Sequence, residues 1–405
     1  MKSNHTFTIQ IKNENNSILS LAKESARVYN QSLDIFWANL DNNQFILSND
    51  IEKLLTVQRT LLHSQSFQGS IQLASTAVQI YFKILKEYKK NPNKFSGCPR
   101  QPKEHKSIQM IIFKKSAIRF KDGFLLLSTK NEPLKFRWNI NKGLPVYATI
   151  TWKRETGWQL NLVLEREQDV VQFIDDKLIA IDLGIKRIAA TYDLDRVILY
   201  SGKIIMSLNR LRNKTNAETQ SKLSGLNKHS RKYRKIKSAN RRVARRINDK
   251  IKDILHKYSR TIVNYCVEND IGTIVVGDCS GIHNDPNCGK RNNQSIVQHP
   301  EQKLLSYIRY KFEDIGGIVK TIPEAYTSRT CPYCGLVKKT SPNGRIFRCK
   351  GCGFEYDRDG VGAMNIYRNK VSCCEKRSFE RQVVGGLTPP IGSVYKQNQD
   401  CLVRV

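Results

Sequence analysis

Four cysteines near the end of the chain have the spacing of a metal site. Cys331 and Cys334 form one CxxC pair, and Cys349 and Cys352 form another. Two such pairs place four thiolates around one ion, and four cysteines in tetrahedral geometry commonly hold structural Zn²⁺. Because protein atoms fill all four positions, we expect this zinc to stabilise a small module and not to perform catalysis. The alternative, four unrelated free cysteines, is disfavoured by the spacing.

Acidic residues stand at positions that suit a catalytic cation. Asp182 interrupts the apolar run LIAIDLG, and a buried strand that keeps a carboxylate usually gives it a metal or a partner. Asp357 and Asp359 lie in YDRDGVGAMNIYR, where small residues and an amphipathic pattern predict the start of a helix. Taken singly, Asp182 is also compatible with a cap on the turn at Gly184, and an acid that begins a helix is ordinary.

The charge of the chain indicates a polyanionic partner. Its 405 residues contain 68 Lys and Arg against 36 Asp and Glu, a formal net charge of +32. Nucleic acid is the partner class that this excess favours. An anionic membrane would also attract it, but no apolar run approaches the roughly 18 residues of a spanning helix. The first residues lack the apolar stretch of a signal peptide, so we expect a soluble intracellular protein.

The most basic segment is residues 228–247, with ten Lys or Arg and no acid. Ile236, Val243 and Ile247 recur at helical spacing, so we predict a helix that binds phosphate groups. The cations that we assign to this surface are Arg231, Lys232, Arg234, Lys235, Arg241, Arg242, Arg245 and Arg246. A merely solvated helix face is the alternative. Tyr233 is suited to stacking on a base, although core packing or incidental exposure explains a single Tyr equally well.

The elements that position these residues alternate between strands and helices from residue 177 onward, which predicts an α/β domain. KLIAIDLGIKRIAATYD predicts a buried central strand, a turn and a second strand, and TIVVGD predicts a third. Residues 203–269 and QKLLSYIRYKFEDI predict helices, and GGIVKTIP predicts a further strand. Towards the N-terminus, TFTIQIK predicts a strand, residues of about 16 to 90 predict helices, and the residues after 103 predict an antiparallel barrel or sheet that includes the first strand.

The order of these motifs resembles that of TnpB proteins, transposon-encoded RNA-guided endonucleases related to type V CRISPR effectors. AIDLGIKRIAA is similar to the first motif of their RuvC-like nuclease domain, TIVVGDCSGI to the second and DRDGVGAMNI to the third, with the cysteine module between the last two. The resemblance implies an α/β RNase H-like (RuvC-like) nuclease domain with an inserted zinc ribbon, and an N-terminal β-rich wedge domain that carries a helical insertion. The implied domains are the wedge at 1–15 and 104–172, the helical recognition domain with linker at 16–103, the nuclease at 173–326 and 355–370, the ribbon at 327–354 and a flexible tail at 371–405.

The resemblance also implies catalytic roles and exposes one departure. Asp182 matches the first catalytic acid of the family and Asp359 the third, with Asp357 as the less favoured choice. The family has a glutamate, its second acid, where this chain has Gly277. Asp278 is adjacent, but side chains alternate along a strand, so it should face away from Asp182. Glu324, at the end of the next strand, is the better candidate because a glycine leaves room for it; a loop carboxylate or a partner of Arg329 is the alternative.

We therefore expect an RNA-guided, Mg²⁺-dependent DNA endonuclease from a mobile element, in which Asp182, Glu324 and Asp359 bind magnesium. The implied partners are a guide RNA and double-stranded target DNA, without a membrane, in the cytoplasm of a prokaryote or on its nucleoid. One alternative is a nuclease-inactive binding protein that acts as a repressor, which Gly277 favours. Another is a transposase that exchanges DNA strands itself, for which the sequence shows no clear nucleophilic Tyr or Ser motif. Oligomeric state stays open.

Overall fold

A computed structural model describes residues 2–11, 16–42, 44, 46–56, 60–154, 156–167, 170–278, 289–324, 326–339, 344–374, 391–395 and 402–404. The chain divides into two compact units, Lys2–Glu167 and Gln168–Val405. None of the described helices is long and apolar enough to cross a membrane.

The described residues of the first unit form three α-helices and seven strands. Its helices are α1 (Asn16–Asp41), α2 (Ser48–Thr56) and α3 (Ser64–Lys90). Its strands are β1 (Lys2–Gln10), β2 (Ile111–Lys114), β3 (Ile118–Lys121), β4 (Phe124–Leu127), β5 (Leu134–Arg137), β6 (Tyr147–Lys153) and β7 (Gly157–Glu167). The first strand pairs with β7 in an antiparallel sheet of order β1-β7-β6-β2, which confirms that it joins the later strands.

The single barrel or sheet predicted for this unit is wrong in one respect. Strands β3, β4 and β5 form a separate three-stranded sheet. The turn between β3 and β4 is Asp122-Gly123, both with positive φ (52° and 79°), so it closes a local hairpin of short strands. Local turns can be predicted from the sequence. Which strands share a sheet depends instead on contacts between residues that are far apart in the sequence.

The second unit is an α/β domain, as predicted. Its strands are β8 (Ile174–Asp182), β9 (Arg187–Tyr192), β10 (Val197–Ser201), β11 (Ile271–Asp278), β12 (Ile318–Pro323), β13 (Ile346–Arg348), β14 (Glu355–Asp357), β15 (Ile391–Tyr395) and β16 (Leu402–Arg404). Its helices are α4 (Lys203–Ser224), α5 (Arg231–Glu268), α6 (Lys290–Val297), α7 (Glu301–Glu313) and α8 (Arg358–Cys374). The sequence reasoning did not predict α6 or the short strands β10, β13, β14, β15 and β16.

The main sheet has the order β12-β11-β8-β9-β10-β15-β16, and β11 and β12 run parallel to β8. Strand β8 is central, as its apolar sequence predicts. One face packs on α5 and α7 through residues such as Ile181, Val276 and Leu255. The other face packs on α8 through Ala180, Val275 and Ile366. Most of the predicted tail, 371–405, lies outside the described residues, which there comprise only the end of α8 and the short strands β15 and β16.

Candidate active site and cysteine module

An open cleft of about 530 Å³ lies at the carboxyl ends of β8 and β12. Asp182, Glu324 and Asp359 all line it. More than a hundred residues separate Asp182 from Glu324, and the cysteine module lies between Glu324 and Asp359. Only the folded chain therefore brings the three together. The cleft therefore contains the three carboxylates that the sequence singled out.

Strand alternation explains which side chains face this cleft. Ala180 on β8, Val275 on β11 and Ile322 on β12 pack against α8, so the residues two positions later, Asp182, Gly277 and Glu324, follow them on the same face. Val276 packs in the core on the opposite face of the sheet, and Asp278, two positions later, points to that same face. Asp278 is exposed and is not among the described residues that line the cleft.

Glu324 reaches across β11 at the position where that strand has a glycine. A Cβ atom on Gly277 would lie 3.1 Å from Oε2 and 3.2 Å from Cγ of Glu324. It would also lie 2.9 Å from Cδ1 of Ile366 on α8, a distance that real Cβ atoms do not tolerate. The missing side chain of Gly277 is thus the space that Glu324 and Ile366 occupy.

The carboxyl group of Asp182 is in an environment that disfavours its negative charge. Burial raises the pKa of Asp182 well above its usual value, and the nearby charges of Glu324 and Asp359 raise it further. A hydrogen bond between the Asp182 and Glu324 side chains acts in the same direction, while Arg358 lowers the pKa. A bound cation would relieve both burial and repulsion, so these carboxylates fit a divalent metal site.

Asp357 and Asp359, at the start of α8, have different structural roles. Oδ1 of Asp357 accepts hydrogen bonds from the backbone N–H groups of Asp359 (3.0 Å) and Gly360 (3.4 Å), so Asp357 caps the helix. Asp359 instead lines the cleft, and burial followed by the charge of Asp357 raises its pKa. Gly362 permits the close approach of α8, because a Cβ there would lie 2.3 Å from Oδ2 of Asp182.

Several residues of the cleft were missed by the sequence reasoning. Lys186, Arg345 and Arg358 supply positive charge. Glu301 is the first residue of α7, and His299 lies two residues before it. Glu301 is buried, with 4% of its surface exposed. Arg345 enters the cleft from the cysteine module, and its carbonyl oxygen accepts a hydrogen bond of 2.7 Å from the Arg358 N–H. Nothing in the local sequence marks Arg345, since its position follows from how the module folds back on α8.

The three carboxylates do not converge on a single point. Within the described part of the chain, the four cysteines are the group of His, Cys, Asp or Glu residues whose ligand atoms all lie within 4.8 Å of one another. Asp182, Glu324 and Asp359 line one cleft but do not form such a group.

The cysteine module has the geometry of a four-thiolate metal site. The Sγ atoms of Cys331 and Cys352 are 3.6 Å apart, and those of Cys334 and Cys349 are 3.5 Å apart. These separations are too long for disulfide bonds and close to the roughly 3.8 Å edge of a tetrahedron with Zn–S bonds of about 2.3 Å. The two pairs fold alike, since the N–H of Gly335 bonds to the carbonyl of Cys331 at 3.0 Å and that of Gly353 bonds to Cys349 at 3.1 Å. The four cysteines could bind a metal.

The basic segment forms the first half of α5, as predicted. The Ser230 hydroxyl caps this helix by accepting a hydrogen bond of 3.1 Å from the Tyr233 N–H. Buried positions in α5 begin at Ile247. In the preceding turns, Asn240 Nδ2 donates a hydrogen bond of 2.9 Å to Oδ1 of Asn216 on α4, and the cations are on the exposed side. Of the eight predicted phosphate-binding residues, all but the partly buried Arg241 are exposed. Nζ of Lys237 lies 5.4 Å from the centre of the Tyr233 ring.

Two family models match segments of the chain. One begins in β7, at the end of the first unit, and continues into the second unit, and the other lies within the second unit. Residues 162–283 match the model described as "Probable transposase" (OrfB, IS605), and residues 302–366 match the "Cas12f1-like, TNB domain". A TnpB-like protein of Methanocaldococcus jannaschii is 26% identical over 216 residues, which cover 52% of this chain and 74% of that protein. The CRISPR-associated endodeoxyribonuclease Cas12f1 of Sulfoacidibacillus thermotolerans is 34% identical over 113 residues, 27% of this chain and only a quarter of that protein.

The fold is also similar to solved structures. One match, from the cryo-EM structure of a Cas12f1-sgRNA-target DNA complex, has a TM-score of 0.58 at 15% identity and covers 87% of this chain and 82% of the other. At this identity the likeness concerns the fold alone. The matched regions contain Asp182, Gly277, Glu324, the four cysteines and Asp359, so the sequence families and the candidate site coincide.

Proposed function

We propose that this chain, which belongs to the TnpB family of transposon-encoded proteins, is an RNA-guided, Mg²⁺-dependent DNA endonuclease with a RuvC-like nuclease domain. Asp182, Glu324 and Asp359 form its active site, and Glu324 takes the place of the acid absent at Gly277. The observation that carries the proposal is the position of Glu324: it fills the space beside Gly277 and hydrogen-bonds to Asp182 in the cleft that Asp359 also lines.

The chain's own residues suit hydrolysis of a phosphodiester. Two Mg²⁺ ions held by the three carboxylates would activate a water molecule and stabilise the leaving oxygen. Lys186, Arg345 and Arg358 line the cleft with positive charge, which attracts the phosphate backbone of a DNA strand. The cleft is open, so a strand can enter it from solvent. The cysteine module holds a structural Zn²⁺ and brings Arg345 to the cleft.

The basic half of α5 supplies the phosphate-binding surface of the complex. Its exposed cations bind the backbone of a guide RNA or of its duplex with target DNA, which carries no sequence information. Base pairing with the guide then selects the target, as in other guide-directed nucleases, while the protein reads a short flanking DNA motif. Support for this partner comes from the net charge of +32 and from the fold shared with a protein solved with guide RNA and target DNA.

The experiment is a cleavage assay with the ribonucleoprotein. The full chain is expressed with its flanking genomic RNA, the co-purified RNA is sequenced, and plasmids with a matching target and a randomised flank are incubated with Mg²⁺ or a chelator. We expect guide-dependent cleavage with Mg²⁺ only. Glu324→Gln should lower the rate by at least about 100-fold, because a direct metal ligand contributes no less than the residues that orient ligands. The exposed Glu268→Gln is the matched control.

Two outcomes would contradict the proposal in different ways. Undiminished cleavage by a folded Glu324→Gln variant would reject the relocated active site. Guide-dependent binding without cleavage would favour the second candidate function, an RNA-guided binding protein that represses transcription. Gly277 is the observation that favours that candidate, because it removes the acid found at this position in the family.

A further inference from the structure

Asn365 is a buried residue of α8 that joins this helix to the segment between β12 and the cysteine module. It is 3% exposed. Its Nδ2 atom donates hydrogen bonds to the carbonyl oxygens of Thr327 (2.7 Å) and Thr330 (2.8 Å). Both amide hydrogens are therefore used on one short stretch of backbone, which gives this contact a defined geometry.

The first of these contacts leads directly to Glu324. The backbone carbonyl of Glu324 accepts hydrogen bonds from the Thr327 N–H (3.3 Å) and from the Thr327 hydroxyl (3.0 Å). Thr327 is itself buried, at 3% exposure. Asn365 thus holds Thr327, and Thr327 holds the backbone of Glu324 just beyond the end of β12.

The second contact leads to the cysteine module. Thr330 precedes Cys331 and forms an isolated antiparallel bridge with Val337 across the first cysteine turn. One turn further along α8, Nη1 of Arg368 lies 3.5 Å from the carbonyl oxygen of Pro332. Asn365 and Arg368 of α8 therefore both contact the backbone where the cysteine module begins.

Helix α8 also contributes to the positions of the other two carboxylates, those of Asp359 and Asp182. Asp359 is in its first turn, and Gly362 lies against Asp182 without room for a side chain. A helix is stiff over the six residues from Asp359 to Asn365, about 9 Å at 1.5 Å per residue. One rigid element consequently contacts the structural surroundings of Asp182, Glu324 and Asp359 together.

We infer that Asn365 is a positioning residue: it fixes Glu324 relative to Asp182 and Asp359 and so sets the affinity of the carboxylates for divalent cations. This inference rests on the proposed function, in which these three residues bind metal. Glu324 depends on such support more than an acid on β11 would, because it lies beyond the last residue of an edge strand. Residues that orient metal ligands typically change metal affinity by about 10- to 100-fold when they are replaced.

The test measures metal binding apart from cleavage. The full chain is freed of nucleic acid in high salt and titrated with Mn²⁺, which electron paramagnetic resonance detects directly. Asn365→Asp keeps the size of the side chain but replaces its two donors with a carboxylate that faces two carbonyl oxygens. We expect it to raise the Mn²⁺ dissociation constant by about tenfold or more. Asn369→Asp is the matched control, since it adds the same charge at an exposed position on the same helix and beside the same small cavity.

Two further variants separate positioning from general destabilisation. In a Glu324→Gln background, Asn365→Asp should cause little additional loss, because the ligand that it positions is already gone. Thr327→Val removes the hydroxyl bond to Glu324 at constant volume and should raise the dissociation constant less than Asn365→Asp does. Zinc content and Tm report whether each variant is folded.

An unchanged Mn²⁺ dissociation constant in a folded Asn365→Asp variant would overturn the inference, as would equal losses with and without Glu324. If Asn365→Asp does not fold, Asn365→Ala, which removes the same two hydrogen bonds without adding a charge, decides the question, and an unchanged Mn²⁺ dissociation constant there rejects the inference. Because the titration uses no DNA, a wild-type protein that binds Mn²⁺ but never cleaves would reject the proposed nuclease while leaving this measurement readable.

Discussion

Glu324 lies in the space that a side chain at Gly277 would occupy: a Cβ on Gly277 would be 3.1 Å from the Glu324 Oε2 atom. Gly277 is on β11, and Glu324 directly follows the adjacent parallel strand β12, in which Ile322 pairs with Gly277 two positions before Glu324. Strand β11 has a glycine where the family resemblance implies a glutamate, and the residue that follows the neighbouring strand places a carboxylate on the same face of the sheet. The glycine therefore leaves the space in which the Glu324 side chain lies.

Substitution of Gly277 by alanine tests this pairing. The new Cβ would press on Ile366 and Glu324, and we expect a loss of stability of about 1–3 kcal/mol. We also expect cleavage to fall by about tenfold, because Glu324 must move away from Asp182. Thermal unfolding and cleavage rates measure the two effects. Gly225→Ala is the control, since no atom lies within 4 Å of a Cβ there.

A double variant refines this prediction. In a Glu324→Ala background, Gly277→Ala should cost less stability than in the wild type, because one of its two opposing side chains has been shortened. Additive losses would show that Glu324 does not occupy this space in solution.

Asp182→Asn should stabilise the metal-free protein at neutral pH. Because burial raises the folded-state pKa of Asp182, the unfolded chain releases this proton at lower pH than the folded chain does, and stability falls as pH rises above the usual value of 3.8. Asparagine has no proton to release. We expect a gain in Tm of at least about 2 °C at pH 7, roughly 1 kcal/mol for a unit of this size, and a smaller gain at pH 5.

Magnesium provides the control for that measurement. A cation in the cleft stabilises the ionised carboxylate of the wild type, so Mg²⁺ should reduce the difference between wild type and Asp182→Asn. A difference that is independent of both pH and Mg²⁺ would contradict the assignment of Asp182 as a half-buried metal ligand.

Cys349→Ser should abolish zinc binding by the cysteine module. Four-thiolate sites lose most of their affinity when one ligand is removed, and the fold of so small a module depends on its ion. Mass spectrometry of the metal content should show about one zinc per chain in the wild type and almost none in the variant. The exposed Cys98→Ser, in the first unit, should retain the zinc. Equal zinc in both variants would reject the assignment.

Paired substitutions on α5 test its role as a phosphate-binding surface. Arg234→Gln with Lys235→Gln should weaken RNA binding and reduce the slope of log K against log salt by roughly 1 to 2. The reason is that binding releases fewer counterions from the RNA when phosphate contacts are lost. Lys250→Gln with Lys252→Gln, in the half of the helix that covers the sheet, is the charge-matched control. Equal slopes in the two variants would indicate a merely solvated face.

Local chemistry made much of this architecture predictable. The CxxC spacing of the cysteines predicts their cluster because each pair closes its own turn. The apolar run around Asp182 predicts a central strand because only a strand covered on both faces tolerates such a composition. The lysine- and arginine-rich segment predicts a helix because its few apolar residues keep the helical period. Alternation along β11 was also sufficient to place Asp278 on the face opposite Gly277.

Other features could not be read from the sequence because they depend on distances between elements. The division of the N-terminal strands into two sheets and the short strand β10 are decided by tertiary packing. Arg345 reaches the cleft only because the cysteine module folds back on α8, and Glu301 is buried there only because α7 begins beside it. These residues have no local pattern that distinguishes them from exposed charges.

The sequence by itself determined the types of residue available: three acids, four cysteines and a basic helix, in an order shared with one family. The tertiary structure decided that Glu324 meets Asp182, that Gly277 and Gly362 leave the necessary space, and that Asn365 joins α8 to the segment behind Glu324. The physical reason is that residue types and periods are local properties. The register of β12 on β11 and the approach of α8 are set instead by the packing of segments far apart in the chain.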